Sequence, residues 1–115
     1  MAIFAIDLDG TIWEEQYPDI GPIFQEAIES LREIKQLGHT IILWSCREGK
    51  LLEDALNVMK QYNIPYDYAN ENIPERVKFY NSDCRKIGAD YFVDDRNIGK
   101  WTWQDVLEVA RRVAA

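Results

Sequence analysis

Continuous apolar runs mark three places where the chain is expected to form buried strands. The run at 2–8 (AIFAIDL) is apolar up to the acid at position 7, and the run at 40–44 (TIILW) is apolar after its first residue. Neither run alternates with polar residues. This pattern is typical of strands in a parallel sheet that is covered on both faces. A shorter run, Tyr91–Val93, predicts a third strand of the same kind.

Apolar stripes at helical spacing separate these runs. Residues 24–37 carry one stripe, and Pro22 can occupy the first turn of the helix that it predicts. A second stripe at 52–59 predicts another helix. The last helix is expected to begin near Thr102, which forms a capping-box pattern with Asp105.

Two segments give weaker signals. Residues 12–21 are expected to form a loop, and residues 66–85 allow only a short strand at 66–69 and a helical turn or more at 75–80. The alternation of strands and helices nevertheless predicts an α/β fold. We expect a Rossmann-like three-layer sandwich, with a mainly parallel sheet, helices on both faces and no cap, in a single domain over residues 1–115.

Composition narrows the classes of function. The chain has 115 residues, of which 47% are hydrophobic and 29% charged, and its net charge is −7. It contains no apolar run of the roughly 18 residues that a membrane span needs, and its start does not resemble a signal peptide. We therefore expect a cytoplasmic protein without a membrane partner. The negative charge disfavours nucleic acid as a partner, although a local basic patch could override it.

The two cysteines, Cys46 and Cys84, are expected to be free thiols in a reducing compartment. For Cys46 the favoured interpretation is a small buried apolar residue.

Polar residues follow each predicted strand at the point where it ends. The first strand leads into 7–11 (DLDGT), the second into Ser45, and the third into Asp94 and Asp95. Because sites in open parallel sheets form outside the carboxyl ends of the strands, these residues should converge. Several carboxylates in one crevice need a cation, and their hard oxygen ligands suit Mg²⁺.

A phosphate monoester fits such a site. A carboxylate that attacks a phosphate dianion meets like-charge repulsion, which Mg²⁺ and a lysine such as Lys86 would offset. The Ser45 hydroxyl and the backbone N–H groups of the turn from Asp7 to Thr11 could bind phosphoryl oxygens, and Gly10 allows close approach of the backbone. The expected phosphate-binding and substrate-binding residues are Leu8, Gly10, Thr11, Ser45, Arg47 and Lys86.

These residues resemble the four motifs of the haloacid dehalogenase superfamily. The DLDGT string at 7–11 resembles the first motif, Ser45 the second, Lys86 the third, and Asp94-Asp95 the fourth. They occur in the order of that superfamily. Three further strings resemble a group of small cap-less hydrolase-like members from bacteria and phages: WSCRE at 44–48, NEN at 70–72 and KIGADYFVDDR at 86–96.

The resemblance implies a mechanism. Asp7 would be the nucleophile that becomes an aspartyl phosphate, and Asp9 the general acid and base. The metal would be held by Asp7, by the backbone carbonyl of Asp9, and by an acid of the fourth motif, with the choice between Asp94 and Asp95 left open. An acid at position 9 resembles phosphatases and phosphomutases. Only 33 residues separate Thr11 from Ser45, too few for a cap, which favours hydrolysis.

Several roles stay open at the level of sequence. Lys78 or Arg85 could replace Lys86 as the phosphate cation. Arg47 could contact substrate phosphate or form a salt bridge with an acid. Residues 70–72 could line the mouth of the site or form an ordinary turn.

Alternative functions also stay open. A phosphoacceptor receiver domain would place its acidic pair and its nucleophile in a different order along the chain. A catalytically idle binding protein and a phosphotransferase or mutase remain alternatives to a phosphatase. An uncapped site could accept a large phosphorylated substrate, such as a protein, a polysaccharide or a nucleic-acid end, or could be covered by another copy in a homo-oligomer.

Overall fold

The structure is a computed structural model that describes residues 1–114. Its elements follow the predicted alternation, with one additional hairpin. In chain order they are β1 (Ile3–Ile6), β2 (Trp13–Gln16), β3 (Asp19–Ile23), α1 (Gln25–Gln36), β4 (Thr40–Leu43), α2 (Gly49–Gln61), β5 (Tyr68–Ala69), α3 (Pro74–Tyr80), β6 (Tyr91–Val93) and α4 (Trp103–Arg112).

A four-stranded parallel sheet forms the centre of the fold, in the order β5-β4-β1-β6. Strand β1 lies between β4 and β6, with Ala5 paired to Ile42 on one side and to Phe92 on the other. The three strands that end in polar residues are therefore neighbours. The predicted α/β class and the mainly parallel sheet are confirmed.

Helices cover both faces of this sheet, as the apolar runs predicted. On one face, α1, α2 and α4 bury the larger core, which includes Phe4, Ile6 and Leu43. On the other face, a small cluster of Ile3, Ala5, Ile42 and Ile87 lies under half-buried residues that include Ile73, immediately before α3. Helix α3 itself buries none of its residues, so this second layer is thin.

Two predictions about the segment before β4 were wrong. Residues 12–21 were expected to form a loop, yet they contribute to an antiparallel β2–β3 hairpin. Helix α1 begins at Gln25, because Pro22 lies in β3. By contrast, α4 begins with the expected capping box: the Thr102 hydroxyl accepts from the Asp105 N–H, and the Asp105 carboxylate accepts from the Thr102 N–H.

Among the helices of residues 1–114, none combines the length and the apolar content that crossing a membrane requires.

Candidate active site

A cleft of about 350 Å³ opens at the carboxyl edge of the sheet. It lies at the ends of β1, β4 and β6, where backbone hydrogen bonds hold the strands in register: the Asp7 N–H donates to the Val93 carbonyl and the Trp44 N–H to the Ile6 carbonyl. The residues that line the cleft are Asp7, Asp9, Glu15, Tyr17, Ser45, Cys46, Arg47, Asp94, Asp95 and Arg96. The predicted convergence of residues from three strand ends is therefore seen.

Three carboxylates meet on one side of the cleft. Asp7, Asp94 and Asp95 each offer an oxygen, and these oxygens lie within 4.8 Å of one another. Burial, and then the neighbouring Asp94 and Asp95, raise the pKa of Asp7 to about 7, although a hydrogen bond from the Thr11 hydroxyl (3.0 Å) opposes the shift. Burial and the neighbouring Asp94 also raise the pKa of Asp95. A cation among the three would relieve this repulsion.

The turn after β1 brings Asp95 against the backbone. Gly10 has φ +85°, and a Cβ at this position would lie 2.0 Å from Asp95 Oδ2. Any larger residue is therefore excluded for two reasons. The left-handed backbone conformation disfavours residues with a side chain, and Asp95 occupies the space that a Cβ would need. Gly10 is needed for Asp95 to reach the other two acids.

Asp9 points away from these three acids and is held by a buried arginine. Arg47 Nε donates to Asp9 Oδ2 at 2.7 Å, and Arg47 Nη2 donates to Asp9 Oδ1 at 2.8 Å. Trp13 Nε1 donates to Asp9 Oδ1 at 2.9 Å. Burial alone would raise the pKa of Asp9, but the hydrogen bonds from Arg47 and Trp13, together with the charge of Arg47, lower it. Asp9 is thus held as a carboxylate.

The β2–β3 hairpin supplies much of the arginine site. Arg47 is 1% exposed and donates to the backbone carbonyls of Pro18, Asp19 and Leu51 at 3.1–3.3 Å. Its guanidinium carbon also lies 5.2 Å from the ring centroid of Tyr17. All three of its nitrogens donate within the protein. Of the two roles left open for Arg47, the structure shows the salt bridge. A substrate-phosphate contact stays a prediction, and it would require the guanidinium to give up one of these partners.

The predicted phosphate-binding residues have mixed outcomes. Ser45 lines the cleft, and its hydroxyl accepts from the Arg47 N–H at 3.0 Å. The Gly10 and Thr11 N–H groups donate to the carbonyls of Trp13 and Leu8, so these two donors are not available to phosphate and that expectation was wrong. Thr11 is buried and orients Asp7 through its hydroxyl. The Leu8 side chain is in the core, which leaves only its backbone for the predicted contact.

Lys86 does not line the cleft. Its ammonium lies 5.5 Å from the centroid of the Phe92 ring, on the segment that crosses the thinner face of the sheet. Lys78 and Arg85 do not line it either. In the described part of the chain, the cations that line the cleft are Arg47 and Arg96, and sequence reasoning missed Arg96. Its position directly after Asp95 in the sequence could have indicated that it lies at the cleft.

The asparagines at 70–72 tie loops together and do not line the cleft. Asn70 Oδ1 accepts from the Ser45 N–H, and Asn70 Nδ2 donates to the Arg47 carbonyl, which fixes the turn after β4. Asn72 binds the loop before β6. Cys46 was expected to be buried, but it is exposed at the cleft. Both cysteines are free, as expected.

The cleft as a whole is strongly acidic. It contains five carboxylates, those of Asp7, Asp9, Glu15, Asp94 and Asp95, against the two arginines. One arginine is already paired with Asp9. This excess of hard oxygen ligands fits a small divalent cation such as Mg²⁺ and does not favour soft metals.

Comparisons with known proteins give one clear relative. No protein-family model and no curated protein matches the chain. The solved structure of a conserved protein from Bacteroides thetaiotaomicron is 38% identical and has a TM-score of 0.86, with 96% of this chain and 90% of that chain covered. A chain of the Pnkp1/Rnl/Hen1 RNA repair complex is 23% identical with a TM-score of 0.56. That match covers 98% of this chain but 40% of that chain, and it shows similarity of fold alone.

Proposed function

The chain belongs to the same family as the conserved Bacteroides thetaiotaomicron protein, and on this premise we propose that it is a magnesium-dependent phosphatase with Asp7 as its nucleophile. The observation that carries the proposal is the meeting of Asp7, Asp94 and Asp95 beside an independently held Asp9. The order of the four motifs, which resembles the haloacid dehalogenase superfamily, supports placing the family within that superfamily.

The acids fit the proposed metal by their chemistry. Asp7, Asp94 and Asp95 would hold Mg²⁺, with the Asp9 carbonyl as the further ligand that the resemblance implies. When bound, the ion would supply positive charge near the phosphoryl oxygens and offset their repulsion by Asp7. With the cation present, the carboxylate form of Asp7 is favoured, which is the form that a nucleophile requires.

The first half of the reaction is proposed to take place at Asp7. A carboxylate oxygen of Asp7 forms a bond to phosphorus while the bond from phosphorus to the leaving oxygen breaks. The Thr11 hydroxyl donates to Oδ2 of this carboxylate at 3.0 Å and so orients it. Ser45 lies at the cleft wall, where its hydroxyl can contact a phosphoryl oxygen.

The second half is proposed to depend on Asp9 as a base. Water attacks the aspartyl phosphate, Asp9 accepts a proton from that water, and phosphate leaves with Asp7 restored. The lowered pKa that Arg47 and Trp13 give to Asp9 keeps it in the unprotonated form that a base requires. It opposes the acid role in the first half, because a protonated Asp9 would lose its ion pair with Arg47. Substrates with a stable leaving group should therefore react readily, since they need no proton.

A burst experiment with p-nitrophenyl phosphate tests these assignments. We expect Mg²⁺-dependent turnover in the wild type and no product from Asp7→Asn. Asp9→Asn should release about one equivalent of nitrophenolate per chain and then stall, because the aspartyl phosphate forms but is not hydrolysed.

Asp54→Asn, an acid on α2 outside the cleft, is the matched control and should retain full turnover. Turnover that survives Asp7→Asn would refute the proposal. A steady Asp9→Asn rate without a burst would refute the role of Asp9 as the base. Added methanol distinguishes a phosphotransferase, which would yield methyl phosphate at the expense of inorganic phosphate.

A further inference from the structure

Residues 76–86, called here the basic segment, carry a charge opposite to that of the rest of the chain. The segment has a net charge of +3, from four cations and one acid: Arg76, Lys78, Arg85, Lys86 and Asp83. The remaining 104 residues hold nine cations and 19 acids, for a net charge of −10. All four cations are exposed, and none forms a salt bridge with any residue in 1–114.

Two large aromatic side chains lie exposed within the same segment. Phe79 is 80% exposed and Tyr80 is 65% exposed, and their ring centroids are 4.9 Å apart at an interplanar angle of 89°. They lie at the end of α3, which buries none of its residues. Single exposed apolar residues are common on protein surfaces. Two exposed aromatic residues in contact, in a segment that also carries four cations, contribute little to the fold and point to a binding surface.

The basic segment is tied to the loop before α3, and its last residue contacts strand β6. Asn72 Nδ2 donates to Asp83 Oδ1 and to the Cys84 carbonyl, both at 2.9 Å, and Asn72 Oδ1 accepts from the Gly88 N–H at 2.7 Å. These bonds join Asn72, which precedes α3, to the later part of the segment and to Gly88, just beyond its end. At its end, Lys86 lies over Phe92 in β6, which is two residues, or roughly 7 Å, before Asp94 of the cleft.

We propose that the basic segment binds single-stranded nucleic acid. Its cations would contact the phosphates of the strand, and the faces of Phe79 and Tyr80 would stack on unpaired bases, which is how proteins bind single strands without sequence preference. A duplex would not present its bases for stacking. An acidic protein segment would use the cations alone and would leave the aromatic pair without a role.

A consequence that rests on the proposed function concerns the substrate. A strand held on the basic segment could present a terminal phosphate to the cleft. The reaction would then be hydrolysis of a terminal phosphate monoester. The bond from phosphorus to the sugar oxygen breaks, that oxygen takes a proton from solvent to give a free hydroxyl end, and water supplies the fourth oxygen of the inorganic phosphate. Binding to the basic segment itself does not depend on this reaction.

Fluorescence anisotropy with labelled 12-nucleotide single strands that lack terminal phosphate tests the binding. Phe79→Ala/Tyr80→Ala should weaken affinity at least tenfold, since base stacking on aromatic side chains commonly contributes a factor of about 5 to 150 per base. Lys78→Gln/Arg85→Gln should reduce the slope of log Kd against log salt by about 1.4, from about 0.7 for each phosphate contact that is lost.

Matched controls separate the surface from total charge. Lys60→Gln/Arg112→Gln removes the same charge from exposed positions on α2 and α4, and Tyr62→Ala removes a 45% exposed aromatic residue elsewhere. Both should bind as the wild type does. Equal weakening in these controls, or equally tight binding of polyglutamate of similar charge, would overturn the proposal. So would light scattering that shows a dimer disrupted by the Phe79/Tyr80 changes, since a second copy would then occupy the surface.

Catalysis is measured separately. A wild type that binds the strands but does not hydrolyse aryl phosphate supports this inference and refutes the proposed function. A wild type that hydrolyses aryl phosphate but does not bind the strands supports the proposed function and refutes this inference.

Discussion

Replacement of Arg47 by methionine should destabilise the protein and raise the pKa of Asp9. Arg47 is 1% exposed and makes two hydrogen bonds to the Asp9 carboxylate, whose side chain is 15% exposed. Methionine has a similar length but no charge and no donor. The change therefore leaves the Asp9 carboxylate without a counter-charge, and three backbone carbonyls lose their donor.

The expected loss in the free energy of unfolding is about 3 kcal/mol. Removal of one partner of a buried ion pair typically costs about 3–5 kcal/mol, and the lower end applies because Asp9 borders an open cleft that water can enter. Since urea unfolding has a slope of about 1–3 kcal/mol per molar, the midpoint should fall by roughly 1–3 M. A domain of ordinary stability would remain folded.

The loss in the free energy of unfolding should be larger at neutral pH than at acidic pH. Arg47 lowers the pKa of Asp9 below its ordinary 3.8, so the pair stabilises the fold above that value. This contribution disappears as pH falls through the lowered pKa, when Asp9 becomes protonated even beside Arg47. The difference between wild type and variant should therefore be largest near neutral pH. It should narrow as pH falls through the raised pKa of Asp9 in the variant and then through its lowered pKa in the wild type.

Urea unfolding at neutral and acidic pH measures both effects, and Arg111→Met is the matched control. Arg111 binds Glu33 with the same two-pronged geometry, at 2.6 and 2.9 Å, but its side chain is 56% exposed. Exposed pairs contribute little, so the control should shift the midpoint far less. If the two variants lose equal stability, or if the Arg47 effect is constant with pH, the reasoning about the buried pair is wrong.

Three further changes probe the remainder of the cleft. Gly10→Ala should cost roughly 1–2 kcal/mol in chemical denaturation, because of its positive φ, and should weaken Mg²⁺ binding in calorimetry, because the new Cβ displaces Asp95. Trp13→Phe should cost roughly 2–3 kcal/mol in the same denaturation assay, with about 1 kcal/mol from the lost hydrogen bond to Asp9 and the rest from the cavity left by the buried indole. In chelator, the melting temperature should fall as pH rises from about 4 to 7, because folding favours the protonated form of Asp7, whose pKa rises from 3.8 to about 7 on folding. Asp7→Asn should remove this slope.

The convergence of the acids was predictable because it depends on topology alone. Parallel strands place their carboxyl ends at one edge, so Asp7 and Asp94 meet there whatever the loops do. The β2–β3 hairpin was not predictable in the same way. In β2, Trp13 is buried while the three following residues are exposed, so the alternation of a half-buried strand is missing.

Long-range partners explain why other residues were misjudged. His39 follows a glycine at a turn, a position typical of surface residues, yet it is buried. One ring nitrogen accepts from the Ala2 N–H at 3.0 Å, and the other lies 2.8 Å from the carbonyl of Ala110, 71 residues away. Lys86 was misplaced for a similar reason. Its spacing from Asp94 is short, but Asn72 ties the intervening loop across the face of the sheet, away from the cleft.

The role of Arg47 shows how these local errors are connected. From the sequence, a substrate contact and a salt bridge were equally compatible with an arginine two residues after Ser45. The hairpin decides between them, because Pro18 and Asp19 present carbonyls that draw the guanidinium inward, and Trp13 holds the carboxylate that it meets. A chain with a flexible loop in place of this hairpin would leave Arg47 free to contact phosphate. The hairpin that sequence reasoning missed therefore also accounts for the inward position of Arg47, on which the ionisation of Asp9 depends.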